Sequence, residues 1–330
     1  MHPELFKLPF TDLTVKSYGV MVVLGFLLAL ILVNKMCKRA RIDAEKVTNA
    51  GFYGFIVGII GARIFHVVHY RDQFDSLLSM LAIWRGGLEL LGGVIATIIF
   101  LFIYLKVKKM NVMLVLDILA VALMVGLGFG RLGCFFNGCC FGQPTHHSIG
   151  VVFPYGSIPY LSQAYPDPAR NRSEPIIELP AEFYGYETGE QWHQASESAK
   201  YDYSLKPKRL LSEQQRAEVV KGGKYSCKAI HPTQLYSSVT AIMNCLILGL
   251  FWWNLGSGQL DESKRKFAAG TTGALMLVLY SICRFVIEYF RGDNPYEAAA
   301  LTVSQLLSIA LFITGIVMFA YLCRKKCNRN

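Results

Sequence analysis

Six ionisable residues interrupt otherwise apolar stretches of this chain: Arg63, Glu89, Asp117, Arg131, Arg284 and Glu288. A charge inside a long apolar run is costly unless it faces a protein interior and meets a partner, so each is a candidate for function. Three of the six are arginines. A guanidinium presents a planar fork of donors that phosphate accepts in pairs, so arginines drawn to one place would take an anion of the phosphate class. Tyr280, Arg284, Glu288 and Arg291 follow at intervals of four, four and three residues, which puts all four on one helical face. In that arrangement Glu288 can hold Arg284 a turn before it and Arg291 a turn after it. The alternative for this ladder is an ion-pair row that reaches out to lipid headgroups.

The composition says what kind of element carries these charges. Of 330 residues, 53% are hydrophobic and only 17% charged, against about a quarter charged in soluble domains. The mean hydropathy of +0.36 agrees and excludes a disordered, collagen-like or coiled-coil chain. A membrane-crossing helix needs about 20 mostly apolar residues, and the runs near 18–34, 48–68, 88–105, 112–130, 235–255, 270–290 and 301–323 meet that length. The expected fold is therefore an all-α polytopic membrane protein of about seven transmembrane helices, a single integral-membrane domain over residues 1–330. Basic knots after the first, third, fifth and seventh runs, such as Lys38 and Arg39, Lys106 and Lys108, Lys264 and Arg265, and Arg324 and Arg329, mark the cytoplasmic side. The N-terminus is then outside and the C-terminus cytoplasmic, and the polar stretch 143–230 is an extracytoplasmic insertion between helices four and five. On this topology all the buried charges except the deeper Asp117 fall in the outer half. The excess charge of +10 sits largely in the cytoplasmic knots and does not point to nucleic acid. Trp84, Trp252 and Trp253 fit an aromatic belt at the membrane surface.

The connection after the fourth run reads GRLGCFFNGCCFG over residues 130–142. Its glycines allow tight turns and close backbone approach, and Asn137 adds a neutral polar group. Gly128, Gly130 and Gly133 match a dinucleotide fingerprint only superficially, because they end an apolar helix instead of following a strand. Of nine cysteines, Cys134, Cys139, Cys140 and Cys227 fall on the outer side, where one or two disulfides are expected. A zinc site is the competing reading, and no paired Cys-x-x-Cys or His spacing supports it. His231-Pro232-Thr233-Gln234-Leu235-Tyr236 reads as a helix entry in which Gln234 satisfies free backbone amides and His231 is structural or titrates. Tyr18, His66 and His69 sit at the interface level. Residues 210–221 form a short amphipathic helix within an otherwise turn-rich segment.

These segments together resemble the bacterial prolipoprotein diacylglyceryl transferases. The resemblance rests on Tyr18-Gly19, GGLELLGG at 86–93, Asp117 before Arg131, GRLGCFFNGCCFG, HPTQLY at 231–236, RFVIEYFR from Arg284 and LTVSQLLS from Leu301. It implies an enzyme of the bacterial inner membrane that moves diacylglyceryl from phosphatidylglycerol to the cysteine thiol of a prolipoprotein signal peptide. The implied catalytic residues are Arg131, Arg284, Glu89 and Tyr18. Headgroup binding would add Tyr280, Glu288, Arg291, Asn137, Gly138 and Gly142, with structural support from Asp117, Arg63, His231 and Tyr236. No cofactor and no metal are implied. A non-catalytic lipid- or signal-peptide-binding protein or a transporter on the same scaffold is the alternative, although a transporter would show an internal repeat and midplane polar residues. The chain departs from the family pattern in three places: Leu91 replaces a histidine, Cys134 an asparagine and Cys139 a glutamate. The proton acceptor is accordingly Glu89 or no dedicated base, with His66, His69 and His231 as the further alternatives.

Overall fold

The computed structural model describes residues 4–7, 14–74, 76–81, 87, 89–188, 191–259, 266–294 and 301–327. Trp84, Gly86, Leu88, Lys264, Arg265 and Arg329 from the sequence reading lie outside these residues. In chain order the elements are a hairpin of β1 (Glu4–Lys7) and β2 (Thr14–Lys16), then helices α1 (Ser17–Ala40), α2 (Ala44–His69), α3 (Leu77–Leu81), α4 (Leu90–Val107), α5 (Val112–Asn137) and α6 (Ile158–Ala164). Strands β3 (Tyr184–Thr188), β4 (Gln191–Gln194) and β5 (Ser204–Leu205) follow, then α7 (Glu213–Val219), α8 (Thr233–Asn254), α9 (Thr271–Glu288) and α10 (Val303–Cys327). Helices α1, α2, α4, α5, α8, α9 and α10 are each long and apolar enough to cross a membrane. Their exposed side chains include Ile31, Ile98, Leu250 and Val317, a surface that suits lipid and not water.

The chain divides into two compact units. The first comprises Met1–Gly25, Gly126–Met243 and Val278–Ile313, and the second Phe26–Val125, Asn244–Leu277 and Thr314–Asn330.

In the first unit, the segment 143–230 folds around a core of Phe141, Phe153, Tyr160, Leu179, Phe183, Tyr184 and Ile230. Its buried tyrosines spend their hydroxyls on carbonyls: Tyr160 donates to Tyr225 at 2.8 Å and Tyr184 to Ala164 at 2.6 Å, as burial of a polar atom requires. The small sheet has the antiparallel order β4-β3-β5. The helix expected at 210–221 is α7, started by a capping box in which Ser212 and Gln215 exchange side-chain and backbone hydrogen bonds.

In the second unit, α2 and α4 meet through small residues: a Cβ on Gly93 would press on the Gly58 carbonyl at 2.8 Å, and Thr97 Oγ1 donates to the Gly54 carbonyl at 3.1 Å. Glycines bring the backbones close enough for that contact. Trp253 lies under the Arg39 guanidinium, 4.0 Å from the ring centroid. Trp252 departs from the belt reading. It is fully buried, and a Cβ on Gly258 would collide with its ring, so it is a core residue.

Candidate active site

The first unit gathers most of the residues singled out in the sequence. Helix α5 runs seven residues beyond the apolar stretch expected for it, so Arg131 and Cys134 lie within its last turns and Asn137 ends it. Gly138 then takes φ +80°, a left-handed conformation that glycine adopts freely. Its amide donates to the Cys134 carbonyl at 2.9 Å, and Cys140 follows at φ +57°. Two reversals so close together fold the chain back over the end of the helix.

The returning strand is fixed by two other segments. Gly142 forms an antiparallel bridge with Arg291. The Gln143 amide donates to the Phe290 carbonyl at 2.8 Å and the Gly292 amide to the Phe141 carbonyl at 2.9 Å. A Cβ at Gly142 would collide with the carbonyl oxygens of His231 and Phe290, so only glycine fits this crossing. Thr233 Oγ1 donates to the Cys140 carbonyl and Gln234 Nε2 to the Cys139 carbonyl, both at 2.8 Å. The HPTQLY segment therefore does more than start α8. Gln234 was expected to satisfy helix amides; it reaches a carbonyl of the cysteine turn instead. His231 Nδ1 lies 3.1 Å from the Tyr236 hydroxyl, and burial, helped by His147, pulls its pKa below the usual histidine value.

Helix α9 presents Tyr280, Arg284 and Glu288 as the spacing requires. Arg284 Nη1 lies 2.8 Å from Glu288 Oε2, a close ion contact whose angles fall outside hydrogen-bond geometry, and Arg284 Nη2 donates to Ser304 Oγ at 2.7 Å. The Glu288 carboxylate is fully buried and also accepts from Thr302 Oγ1 at 2.9 Å and from Asn294. Thr302 caps α10 with Gln305, whose side chain takes the Thr302 amide at 3.0 Å, so the LTVSQ motif both starts that helix and braces Glu288. Arg291 is held differently from the expected ladder. Its fork closes on Asp293 at 2.8 and 2.7 Å, while Glu288 is 3.9 Å away. Asp293 was not singled out in the sequence, because a carboxylate two residues after a helix-terminal arginine has no periodicity to flag it.

Arg131 is half-buried, and among the described residues its side chain has neither a hydrogen bond nor a carboxylate partner. Cys140, Cys134, Tyr280 and Arg291 are its charged or ionisable neighbours, and Arg284 shares the same field. Tyr18 faces Arg131 and the three cysteines, and its ring packs on Gly133. Three guanidiniums against two carboxylates leave the cluster one positive charge in excess, located at Arg131.

The remaining candidates belong to the second unit. Asp117 is fully buried and accepts from Ser257 Oγ at 2.7 Å and from the Gly270 and Gly273 amides at 2.8 and 2.9 Å. It thus satisfies donors at the start of α9 that the helix itself leaves free. Arg63, expected among the arginines and as structural support, is engaged by backbone carbonyls. Its donors go to the carbonyls of Met80 at 2.7 Å, Gly87 at 3.0 Å and Ser79 at 2.8 Å, where they tie α3 to α2. Glu89 precedes α4 and lies 2.9 Å from His69 Nδ1, and Leu91 is exposed.

Cys134, Cys139, Cys140 and Cys227, where one or two disulfides were expected, are free thiols. Cys227 is buried in the core of the first unit, whereas the sulfurs of Cys134, Cys139 and Cys140 all lie within 4.8 Å of one another.

Seven helices long and apolar enough to cross a membrane make this a polytopic membrane protein. The chain belongs to the prolipoprotein diacylglyceryl transferase family, whose model matches residues 3–321. It is 26% identical to the phosphatidylglycerol–prolipoprotein diacylglyceryl transferase of Clostridium tetani, over 97% of each chain. Transferase 1 of Clostridium perfringens is 29% identical over 96% of this chain and 93% of its own, and the Thermotoga maritima enzyme 27% identical over 92% and 80%.

Proposed function

We propose that this protein transfers the diacylglyceryl group of phosphatidylglycerol to the cysteine thiol of prolipoprotein signal peptides in the bacterial inner membrane. The observation that carries the reading is Arg131, a half-buried guanidinium without a carboxylate partner among the described residues, set beside Arg284 and Tyr280 in a chain of this family. The lipid phosphate occupies the positive excess there. The acceptor sulfur attacks the glycerol carbon that bears the phosphate ester; the S–C bond forms as the C–O bond breaks, and the electron pair leaves with glycerol phosphate. Arg131 and Arg284 neutralise the charge that grows on the departing oxygen, which is where fixed donors lower a barrier most. Tyr18 and Tyr280 hydrogen-bond the headgroup. Glu288 and Arg291 hold the cluster in place, and Asn137, Gly138 and Gly142 shape its wall.

The acceptor thiol, with an ordinary pKa near 8.5, needs only cations nearby to ionise, and its proton goes to water. Glu89, hydrogen-bonded to His69, is the alternative acceptor; an unchanged rate in Glu89→Gln removes it. The basic knots support a topology with the N-terminus and residues 143–230 on the extracytoplasmic side and the C-terminus in the cytoplasm. The test is a mass assay of purified protein with phosphatidylglycerol and a lipobox peptide, beside Arg131→Ala. A thioether-linked diacylglyceryl peptide that the variant fails to make is the expected result. Near-normal product from the variant takes Arg131 out of the mechanism, and no product from either while lipid still binds favours the non-catalytic binding protein.

A further inference from the structure

We propose that Cys134, Cys139 and Cys140 form a tris-thiolate site for a thiophilic closed-shell cation of the zinc class. Their sulfurs lie within 4.8 Å of one another, a small contraction away from three ligands around one ion at about 2.3 Å each. Sequence spacing hides this site. The cysteines are five and one residues apart, and only the left-handed turns at Gly138 and Cys140 carry the last two back over the first. A non-glycine residue is uncommon in that conformation, and here it is held by Thr233 and Gln234, which bond the carbonyls of Cys140 and Cys139. The turn is therefore built into the fold before any ion arrives.

Charge is the second, independent observation. Three thiolates around a divalent ion carry one net negative charge, and the half-buried Arg131 stands beside Cys134 and Cys140 with no carboxylate of its own among the described residues. The loaded site would thus have its charge balanced by Arg131 whenever no lipid phosphate is bound there. Loading gives up only weak sulfur contacts among the described residues: the thiols bond one another and Asn137, and the Cys139 thiol rests on the Cys134 carbonyl at 3.8 Å. Each thiol releases its proton to solvent and gives the ion an electron pair, so three protons leave per ion bound. Three protein ligands leave a fourth position for water or for an incoming ligand. Soft sulfur donors select ions of this class over magnesium or calcium.

The assignment does not depend on the transfer reaction, because binding is read directly. Full-length protein, reduced and stripped with chelator, is titrated with zinc chloride, and with cobalt chloride as an optical probe. The expected result is one ion per chain, three protons released, a sulfur-to-cobalt charge-transfer band, and three cysteines protected from maleimide in the wild-type chain. Cys139→Ser and Cys140→Ser each lose the band, while Cys245→Ser, on α8, keeps it. The labelling experiment needs no variant and so survives a misfolded one. Absence of stoichiometric binding, a band retained in both serine variants, or an intact mass two hydrogens lighter from a disulfide within the trio each overturns the proposal.

Discussion

Glu288→Gln is the most informative single change, because it removes a charge and almost no volume. The wild-type carboxylate is fully buried and lies 2.8 Å from an Arg284 guanidinium that is 14% exposed. At that distance and an effective dielectric of about 20, the attraction is about 6 kcal/mol. Desolvation returns part of it, and breaking one side of a buried pair typically costs about 3–5 kcal/mol. Glutamine keeps an oxygen for Thr302 but turns a donor toward a site already full of donors from Asn294 and Arg284. The excess charge of the cluster also rises from one to two. The expected loss is about 3 kcal/mol, a shift of about a hundredfold in the unfolding equilibrium. The assay is unfolding in mixed micelles by rising dodecyl sulfate, followed by helix content. Arg284→Gln should cost a similar amount, and the double variant about 2 kcal/mol less than the sum, because the two amides leave no orphaned charge. Strict additivity would refute the ion pair as the reason Glu288 is buried there.

Asp117→Ala orphans three donors at about 1–3 kcal/mol each; the same unfolding assay should show a loss above about 3 kcal/mol, and a loss below about 1 kcal/mol would contradict its bracing of α9. Gly142→Ala forces the bridge to Arg291 apart; transfer should disappear and amide exchange at Gln143 and Gly292 should accelerate, so wild-type exchange rates would count against the crossing. His231 should titrate below the usual 6.5 by NMR, since burial first and His147 second disfavour its charged form. A depressed histidine pKa means the unfolded chain takes up the proton first, so this contribution to stability is complete above pH 6.5 and fades as pH falls below it. A midpoint at or above 6.5 would contradict that environment.

The seven helices were legible because hydropathy depends only on local composition. So was the Tyr280, Arg284 and Glu288 face, which a helical period of 3.6 fixes once the helix is granted. The end of α5 was not, because Arg131 reads as a break in an apolar run although the helix continues through it. Arg63 and Arg131 look alike in sequence, and their destinations differ by tertiary contacts alone: one is filled by three carbonyls, the other is not. The cysteine trio escaped for a related reason, since its geometry depends on two backbone angles that no spacing rule encodes. The double role of Thr302 and the reach of Gln234 likewise join residues far apart in the chain.

The main-chain stitching of Phe141, Gly142 and Gln143 to His231, Phe290 and Gly292 has a consequence for biosynthesis. These partners are separated by about 90 and 150 residues, so loop closure delays their pairing until the distant segments exist. A ribosome that has delivered α5 and the whole segment 143–230 has still made no strand for Gly142 to bridge. The cluster can close only after α9 has left the exit tunnel, and a nascent chain stopped before Phe290 would hold Arg131 without its framework. Quality-control proteases that read exposed, unpaired backbone would find such a chain by the open strand at 141–143, well before any test of activity.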